Sequence, residues 1–310
     1  AVAITSLLHY FHRGLLELSK KHNSWDPCLK RPLADYVNES LAKGWQNVVP
    51  PPHKPPRALF QIGGNIFRRG RATNQLLENL LPKLKLLVTV DWRMSTTALY
   101  SDYILPTCGW YERTSTSLLG STHSPFMQVN AKAADPLYES LGDWAIFVRL
   151  ARTLAQRAGE RNTPAYKDKD GKERRVDRVA EAVTCGGIYD EDDDEGVARD
   201  AFVNCGNVEP IGWEAFKENG IAAYTNVGSG VRCLGNACDI KPGEPVVPLT
   251  WHIDGKAPYP TLTRRMQFYI DHEWYRELDE HLPTHKDCPM AGGDYPLQLT
   301  GGHARWSVHS

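Results

Sequence analysis

Two short polar segments that follow apolar runs contain the residue types that hold a nucleotide. Gly63, Gly64 and Asn65 come directly after the apolar run 58–62, and Asp91 closes the next such run. Glycine lets a phosphate approach the backbone, and open α/β sheets bind ligands at the carboxyl ends of their strands. Nucleotide-binding units place a carboxylate for a ribose or a base roughly 20 residues after the glycine turn. The spacing from Asn65 to Asp91 is close to this. Because the glycines lack GxGxxG spacing, a tight turn after the first run and a helix cap at Asp91 stay open as alternatives.

A cluster of polar and aromatic residues closes the sequence. It contains His303, Arg305, Trp306 and His309. Two imidazoles, a guanidinium and an indole suit hydrogen bonding to a polar heterocycle and stacking on it. By composition alone a structural cluster is an equal alternative. A zinc site is disfavoured, because no cysteines stand at a matching spacing nearby.

The cysteines and the acidic run do not indicate a metal site. The seven cysteines are irregularly spaced, which favours free thiols, and the closest pair is Cys233 and Cys238. The acidic run 190–195 lacks interleaved glycine and regular ligand spacing, so we interpret it as a solvated surface insertion. No nucleophile elbow, P-loop or HExxH motif is present, which argues against hydrolases and kinases.

The composition is that of an ordinary globular domain. Hydrophobic residues make up 41% and charged residues 24%, and 36 basic against 37 acidic side chains leave a formal charge of −1. This balance lacks the excess of positive charge that is typical of proteins that bind nucleic acid. No apolar run approaches the roughly 20 residues of a membrane helix. We therefore predict neither a nucleic-acid partner nor direct membrane insertion.

The elements that must position the glycines and Asp91 form a βαβ pattern. Residues 58–62 and 84–90 are predicted strands, and residues 73–81 between them carry leucines at helical spacing. This length fits one βαβ unit, so the predicted fold class is α/β, with a parallel sheet and flanking helices. A third strand is predicted at 103–105, and a helix is predicted to begin at Asp143.

Several motifs, in one order, resemble the dimethyl sulfoxide reductase family of molybdopterin oxidoreductases. Residues 87–113 carry a strand ending in Asp, a Thr-rich turn, then Ser-Asp-x-x-Leu-Pro and Tyr-Glu-Arg. Residues 63–69 and 301–310 match two further family motifs, whereas residues 160–245 match poorly. The resemblance is greatest to the branch of nitrate, selenate and chlorate reductases and of dimethylsulfide, ethylbenzene and steroid C25 dehydrogenases. It implies an internal fragment of a catalytic (alpha) subunit.

The resemblance also implies a cofactor, molybdenum bis(molybdopterin guanine dinucleotide), bound between α/β domains. The residues that would line the guanosine diphosphate of one pterin are Gly63, Gly64, Asn65, Asp91, Arg113 and Asp143. The residues that would hold the pterin are Thr300, Gly301, Gly302, His303, Arg305, Trp306, His309 and Ser310. Arg113 replaces the commoner lysine of the family, which keeps the positive charge.

By resemblance the chain divides into five segments around a Rossmann-like core. These are a helical lead-in and proline-rich linker at 1–56, a Rossmann-like dinucleotide-binding domain at 57–158, a variable polar insertion at 159–245, a return to the core at 246–296, and the start of the C-terminal cofactor-binding domain at 297–310. Strands are predicted at 266–270 and 297–299 from their apolar residues.

The remaining implications concern the whole enzyme. Its reaction on a small-molecule substrate would be anaerobic hydroxylation, dehydrogenation or oxyanion reduction, and residues 272–274 and 292–296 favour a dehydrogenase. The molybdenum ligand and a [4Fe-4S] cluster are expected outside this chain, which is then inactive alone. An iron–sulfur beta subunit and a haem gamma subunit are the expected partners. The expected location is the periplasm, with the cytoplasmic face of the membrane as the alternative.

Two other functions stay open from the sequence. A nicotinamide-dependent dehydrogenase could use the same βαβ unit, although its GxGxxG motif is missing. A non-catalytic nucleotide-binding or assembly module could keep the fold without the metal.

Overall fold

A computed structural model describes most of the chain as two compact units. The described residues are 11–14, 16–17, 29–70, 73–117, 126–168, 170–225, 237–239, 243–261, 263–285 and 297. Unit 1 comprises Ala1–Ile104 and Pro260–Ser310, and unit 2 comprises Leu105–Tyr259. The segment boundaries taken from the resemblance stay a prediction.

The sheet of unit 1 is parallel where the sequence predicts it. Strands β1 (Ala58–Ile62), β2 (Leu86–Asp91) and β3 (Tyr103–Pro106) lie in the order β1-β2-β3. Strand β1 pairs in parallel with β2 from Ala58 opposite Leu86 to Ile62 opposite Val90. Four consecutive residues of β2 are buried, as expected for a central strand. The predicted βαβ unit and the α/β class are therefore confirmed.

The helices of unit 1 cover this sheet and lead into it. Helix α1 spans Leu33–Ala42, α2 spans Ile66–Arg69, and α3 spans Thr73–Gln75 and continues as a π-helical turn, Leu76–Leu80, and a 3-10 turn, Leu81–Lys83. Leu76 and Leu80 are buried with Leu87 of β2, which confirms the predicted helix between the strands. Helix α4, Thr96–Leu99, follows β2 and is capped by the Ser95 hydroxyl, which accepts from the Ala98 backbone N–H.

Unit 2 is built around a small antiparallel sheet. Strands β4 (Ser115–Ser117), β5 (Phe126–Asn130) and β8 (Ile221–Ala223) lie in the order β4-β5-β8, and a separate hairpin pairs β6 (Tyr166–Lys167) with β7 (Glu173–Arg174). Short 3-10 turns lie at Trp110–Glu112 and Val176–Arg178. The helices are α5 (Asp143–Glu160), α6 (Val179–Val183), α7 (Asp194–Val203), α8 (Trp213–Asn219) and α9 (Thr250–Ile253). The predicted start of a helix at Asp143 is confirmed.

The core of unit 2 draws on a stretch that is polar in sequence. Phe216 and Met127 are fully buried, and the rings of Phe216 and Phe202 stack with centroids 4.2 Å apart. Helices α7 and α8 thus supply core residues from within the predicted insertion at 159–245. The acidic run before them is only partly solvated, because Glu191 pairs with Arg149 and Asp193 caps α7.

The return of the chain to unit 1 differs from the predicted strand at 266–270. These residues form no strand, and Phe268 is 68% exposed. The apolar alternation is present, but no described strand lies beside it to supply the ladder of hydrogen bonds. Helix α10 (Glu273–Glu277) follows, and the Trp274 indole N–H donates to Glu39 on α1 at 2.9 Å. Of the predicted strand 297–299, all but the first residue lies outside the described residues.

The described helices do not include a membrane span. None of them combines the length and apolar character needed to cross a bilayer.

Candidate functional site

The Gly63-Gly64 turn begins at the carboxyl end of β1. The Gly63 N–H donates to the Val90 carbonyl at 3.0 Å, so the turn starts level with the end of β2. Gly63 has φ +55°, a conformation that glycine adopts without the steric penalty of a Cβ. A Cβ at Gly63 would meet no atom within 4 Å, so the backbone at Gly63 is open to a ligand.

Asn65 follows the turn and joins it to the loop after β2. Its Oδ1 accepts from the Thr97 backbone N–H at 3.2 Å and from the Thr97 hydroxyl at 2.9 Å. The same hydroxyl accepts from the Phe67 N–H at 3.2 Å. Sequence reasoning did not single out Thr97, because a threonine at the start of a short helix usually serves only as a capping or turn residue.

Asp91 ends β2 at the same edge of the sheet. Its Oδ1 accepts from the Arg93 backbone N–H at 3.2 Å, and the side chain is half-buried. Among the described residues its second carboxylate oxygen has no donor, so it keeps acceptor capacity for a ligand. The structure thus brings Gly63, Gly64, Asn65 and Asp91 to one edge of the unit 1 sheet, as the sequence predicts.

Unit 2 contains the other pair predicted to meet a nucleotide. Arg113 Nη1 lies 2.8 Å from Asp143 Oδ2, and the two side chains are 21% and 34% exposed. The other oxygen, Asp143 Oδ1, accepts from the Thr107 hydroxyl at 2.7 Å. Thr107 is a second residue that sequence reasoning missed. Its signal, a bridge that links Thr107 to Leu141 just before α5, appears only in the folded chain.

Arg113 retains donor capacity beyond this pair. Its Nε is buried and has no hydrogen-bond partner in the described chain. The guanidinium lies 5.9 Å from the Trp110 ring centroid, which adds a weak cation–π attraction. An unsatisfied buried N–H is costly, so a ligand oxygen that reached it would gain a favourable hydrogen bond.

A cleft in unit 2 has a volume of about 320 Å³ and is lined by charged groups of both signs. Lys132 and Arg149 line it together with Glu112 and Asp194. Burial raises the pKa of the Asp194 carboxyl, and the nearby Arg113 opposes this rise. Burial also raises the pKa of the neighbouring Cys108 thiol, which keeps it protonated and unreactive near neutral pH.

Part of this chain matches the model of a known enzyme family. Residues 41–153 match the family described as Molybdopterin oxidoreductase. The respiratory nitrate reductase alpha subunit of Haloferax mediterranei is 34% identical over 99% of this chain and 31% of its own length. The chain belongs to the molybdopterin oxidoreductase family.

Two further relatives of this molybdopterin oxidoreductase chain carry different reaction names. The perchlorate reductase alpha subunit of Dechloromonas aromatica is 29% identical over 89% of this chain and 28% of its own. The dimethylsulfide dehydrogenase alpha subunit of Rhodovulum sulfidophilum is 28% identical over 96% of this chain and 32% of its own. The chain spans about a third of the length of the curated relatives it matches.

Membership of the molybdopterin oxidoreductase family implies a molybdenum–pterin cofactor. The residues predicted to hold the pterin lie outside the described residues; they are Thr300, Gly301, Gly302, His303, Arg305, Trp306, His309 and Ser310. Among the residues that the structure does describe, no group of three or more His, Cys, Asp or Glu could hold a metal ion.

Proposed function

We propose that this chain forms part of the catalytic subunit of a molybdenum oxidoreductase and binds the guanosine diphosphate end of one molybdopterin guanine dinucleotide. The observation that supports this most is the edge of the unit 1 sheet. Gly63, Gly64, Asn65 and Asp91 lie at the carboxyl ends of two paired parallel strands, where α/β sheets bind nucleotides. This edge lies inside the part of the chain that matches the family, residues 41–153.

The chemistry of these groups fits the proposed ligand. The glycines let a phosphate approach the backbone, where the Gly64 N–H has no acceptor among the described residues, and the Asn65 amide can hydrogen-bond a phosphate or ribose oxygen. Asp91 offers a carboxylate oxygen with no described donor, which suits the ribose hydroxyls or the N–H groups of guanine. We assign guanosine recognition to Asp91 for this reason.

Arg113 and Asp143 of unit 2 are also proposed to take part in holding the cofactor. The buried Arg113 Nε has no described partner, which fits a guanidinium that also contacts a phosphate. In this role Asp143 orients Arg113 through their 2.8 Å ion pair.

The proposed reaction is the reduction of an oxyanion. Dehydrogenation, which residues 272–274 and 292–296 favour by resemblance, is the second candidate. The bound molybdenum cofactor would supply the two-electron oxygen-atom chemistry, and a [4Fe-4S] cluster outside this chain would relay the electrons. A nitrate reductase subunit shares the higher identity, 34%, and a dimethylsulfide dehydrogenase subunit shares 28%. Because one family scaffold serves both reactions, residues of the substrate site decide between them.

The proposed assembly contains an iron–sulfur beta subunit and a haem gamma subunit. Three relatives named above are themselves alpha subunits, which supports an assembly of several chains. The proposed location is the periplasm, and the alternative is the cytoplasmic face of the membrane.

Alanine substitutions in the full-length protein test the pocket. Asp91→Ala and Arg113→Ala should each lower the molybdenum content per polypeptide and the GMP released by acid hydrolysis, because each removes a charged contact to the ligand. Asp170→Ala and Arg157→Ala are matched controls, since both side chains are exposed. Unchanged molybdenum and GMP in both test variants would contradict the assigned pocket. Wild-type protein without either component would contradict the proposed cofactor itself.

A further inference from the structure

A fully buried hydroxyl connects the two loops at the carboxyl edge of the unit 1 sheet. Thr97 is 0% exposed and contacts Asn65 of the turn after β1 and Phe67 of α2. We propose that Thr97 is a positioning residue, which fixes the Asn65 amide in the orientation that nucleotide binding needs. This inference rests on the proposed function of that edge.

The Thr97 hydroxyl acts as donor and acceptor at the same time. It donates to Asn65 Oδ1 at 2.9 Å and accepts from the Phe67 N–H at 3.2 Å. A hydroxyl has one hydrogen, so these two bonds together fix its rotation. Phe67 lies in the first turn of α2, where a backbone N–H has no partner inside the helix. Thr97 therefore satisfies this donor and holds the start of α2.

The position of Thr97 is itself set by a second pair of hydroxyls. Ser101 Oγ donates to the Thr97 carbonyl at 3.0 Å and lies 2.7 Å from Thr89 Oγ1. Thr89 is in the middle of β2 and is also 0% exposed. Helix α4 is thus tied to β2, the strand that ends at Asp91. Through these contacts Thr97 fixes the position of Asn65 relative to β2.

The consequence for binding concerns the Asn65 amide. Two donors from Thr97 converge on Oδ1, so the amide nitrogen Nδ2 must take the opposite position. No described residue accepts a hydrogen bond from Nδ2, which leaves it as an N–H donor of defined direction. A phosphate or ribose oxygen is the kind of group that such a donor binds. A donor that is already oriented loses little conformational entropy when the ligand arrives.

Three threonine variants separate positioning from stability. Thr97→Val removes the hydroxyl but keeps the shape, and Thr97→Ser keeps the hydroxyl. Thr184→Val is the matched control, because Thr184 is also buried and its hydroxyl also donates and accepts at once, to the Ala180 carbonyl at 2.8 Å and from the Gly187 N–H at 3.0 Å, but it contacts neither Asn65 nor Thr97. Each variant is made in the full-length protein, freed of cofactor, and titrated with GMP by calorimetry, with Tm measured in parallel.

We expect the GMP dissociation constant to rise roughly threefold to tenfold in Thr97→Val, the effect of one misplaced hydrogen bond. Thr97→Ser and Thr184→Val should bind GMP like wild type, although Thr184→Val should lower Tm. Equal GMP affinity in Thr97→Val and Thr184→Val would overturn the positioning role. Wild-type protein that binds no GMP and carries no molybdenum would instead refute the proposed function.

Asn65→Asp supplies a test that does not depend on how well Thr97→Val folds. The carboxylate can accept the same two bonds from Thr97, so Tm should change little. It lacks the N–H donor and adds a negative charge, so GMP affinity should fall at least as far as in Thr97→Val. Wild-type affinity in Asn65→Asp would show that the oriented amide is not used, and the inference would be wrong.

Discussion

The ion pair between Arg113 and Asp143 gives the most direct test of how unit 2 holds the Arg113 guanidinium in place. The perturbation is a double-mutant cycle of Arg113→Gln, Asp143→Asn and the double variant. Each single change removes one charge and keeps a side chain of similar size. Asp143 also lies in the first turn of α5, where a carboxylate favours the helix dipole. The cycle cancels this contribution and leaves the coupling between the two side chains.

The expected coupling follows from distance and exposure. Two unit charges about 4 Å apart attract by roughly 4 kcal/mol at an effective dielectric constant of about 20. Exposed pairs retain only about 0.2–1 kcal/mol of this, whereas breaking a buried pair costs about 3–5 kcal/mol. Arg113 and Asp143 are 21% and 34% exposed and lie 2.8 Å apart, between those limits. We therefore expect a coupling free energy of about 1–2 kcal/mol.

The assay is urea denaturation of all four proteins, repeated in 1 M NaCl. A partly buried pair is screened less than an exposed one, so most of the coupling should survive the salt. The exposed pair of Arg157 and Glu160 serves as the comparison cycle, with an expected coupling of about 0.5 kcal/mol or less. A coupling between Arg113 and Asp143 no larger than this comparison would refute the reasoning, because the pair would then not hold Arg113 in place.

Two further predictions concern a core residue of unit 2 and a paired carboxylate of unit 1. Phe216→Ala should lower the free energy of unfolding by about 3–5 kcal/mol, because Phe216 is fully buried and stacked on Phe202. The control Phe60→Ala should lower it much less, because Phe60 is half-exposed. Urea denaturation measures both losses, and a loss below about 1 kcal/mol in Phe216→Ala would contradict the assigned core. Lys43, then Trp274 and Arg31, lower the pKa of Glu39 to about 2 from its usual 4.5, so the stability that Glu39 provides is present above pH 4.5 and lost as the pH falls toward 2. Acid titration of the tryptophan fluorescence should show this loss and Glu39→Gln should flatten it, whereas identical titrations of both proteins would count against the assignment.

The βαβ unit could be predicted from the sequence because its strands are buried in the sheet. The run 84–90 is almost continuously apolar, as a central parallel strand requires. Leu76 and Leu80 lie at helical spacing and are buried with Leu87 of β2. The positions of Gly63 and Asp91 followed directly from the strand ends. A site at the edge of a parallel sheet is therefore visible in sequence once two consecutive strands are recognised.

The core of unit 2 could not be predicted in the same way. The helices that carry Phe202 and Phe216 are short and rich in charged residues, so the apolar periodicity around these two residues is weak. Their burial depends on β5 and β8, which pair across a long stretch of sequence. The strand predicted at 266–270 failed for the converse reason. Its apolar alternation is present, but strand formation also requires a neighbouring edge.

Thr97 and Thr107 show why the residues that support a candidate site are harder to predict from the sequence than the candidate site residues themselves. Gly63 and Asp91 are marked by their own types and by the strand ends that precede them. A threonine hydroxyl carries no such mark, because its role depends on which group the folded chain brings within 3 Å. Both hydroxyls hold a side chain, Asn65 or Asp143, that the sequence had already assigned to ligand binding. In each unit the side chain proposed to serve the ligand is therefore oriented by the protein itself, so the free energy of that arrangement belongs to folding and not to binding.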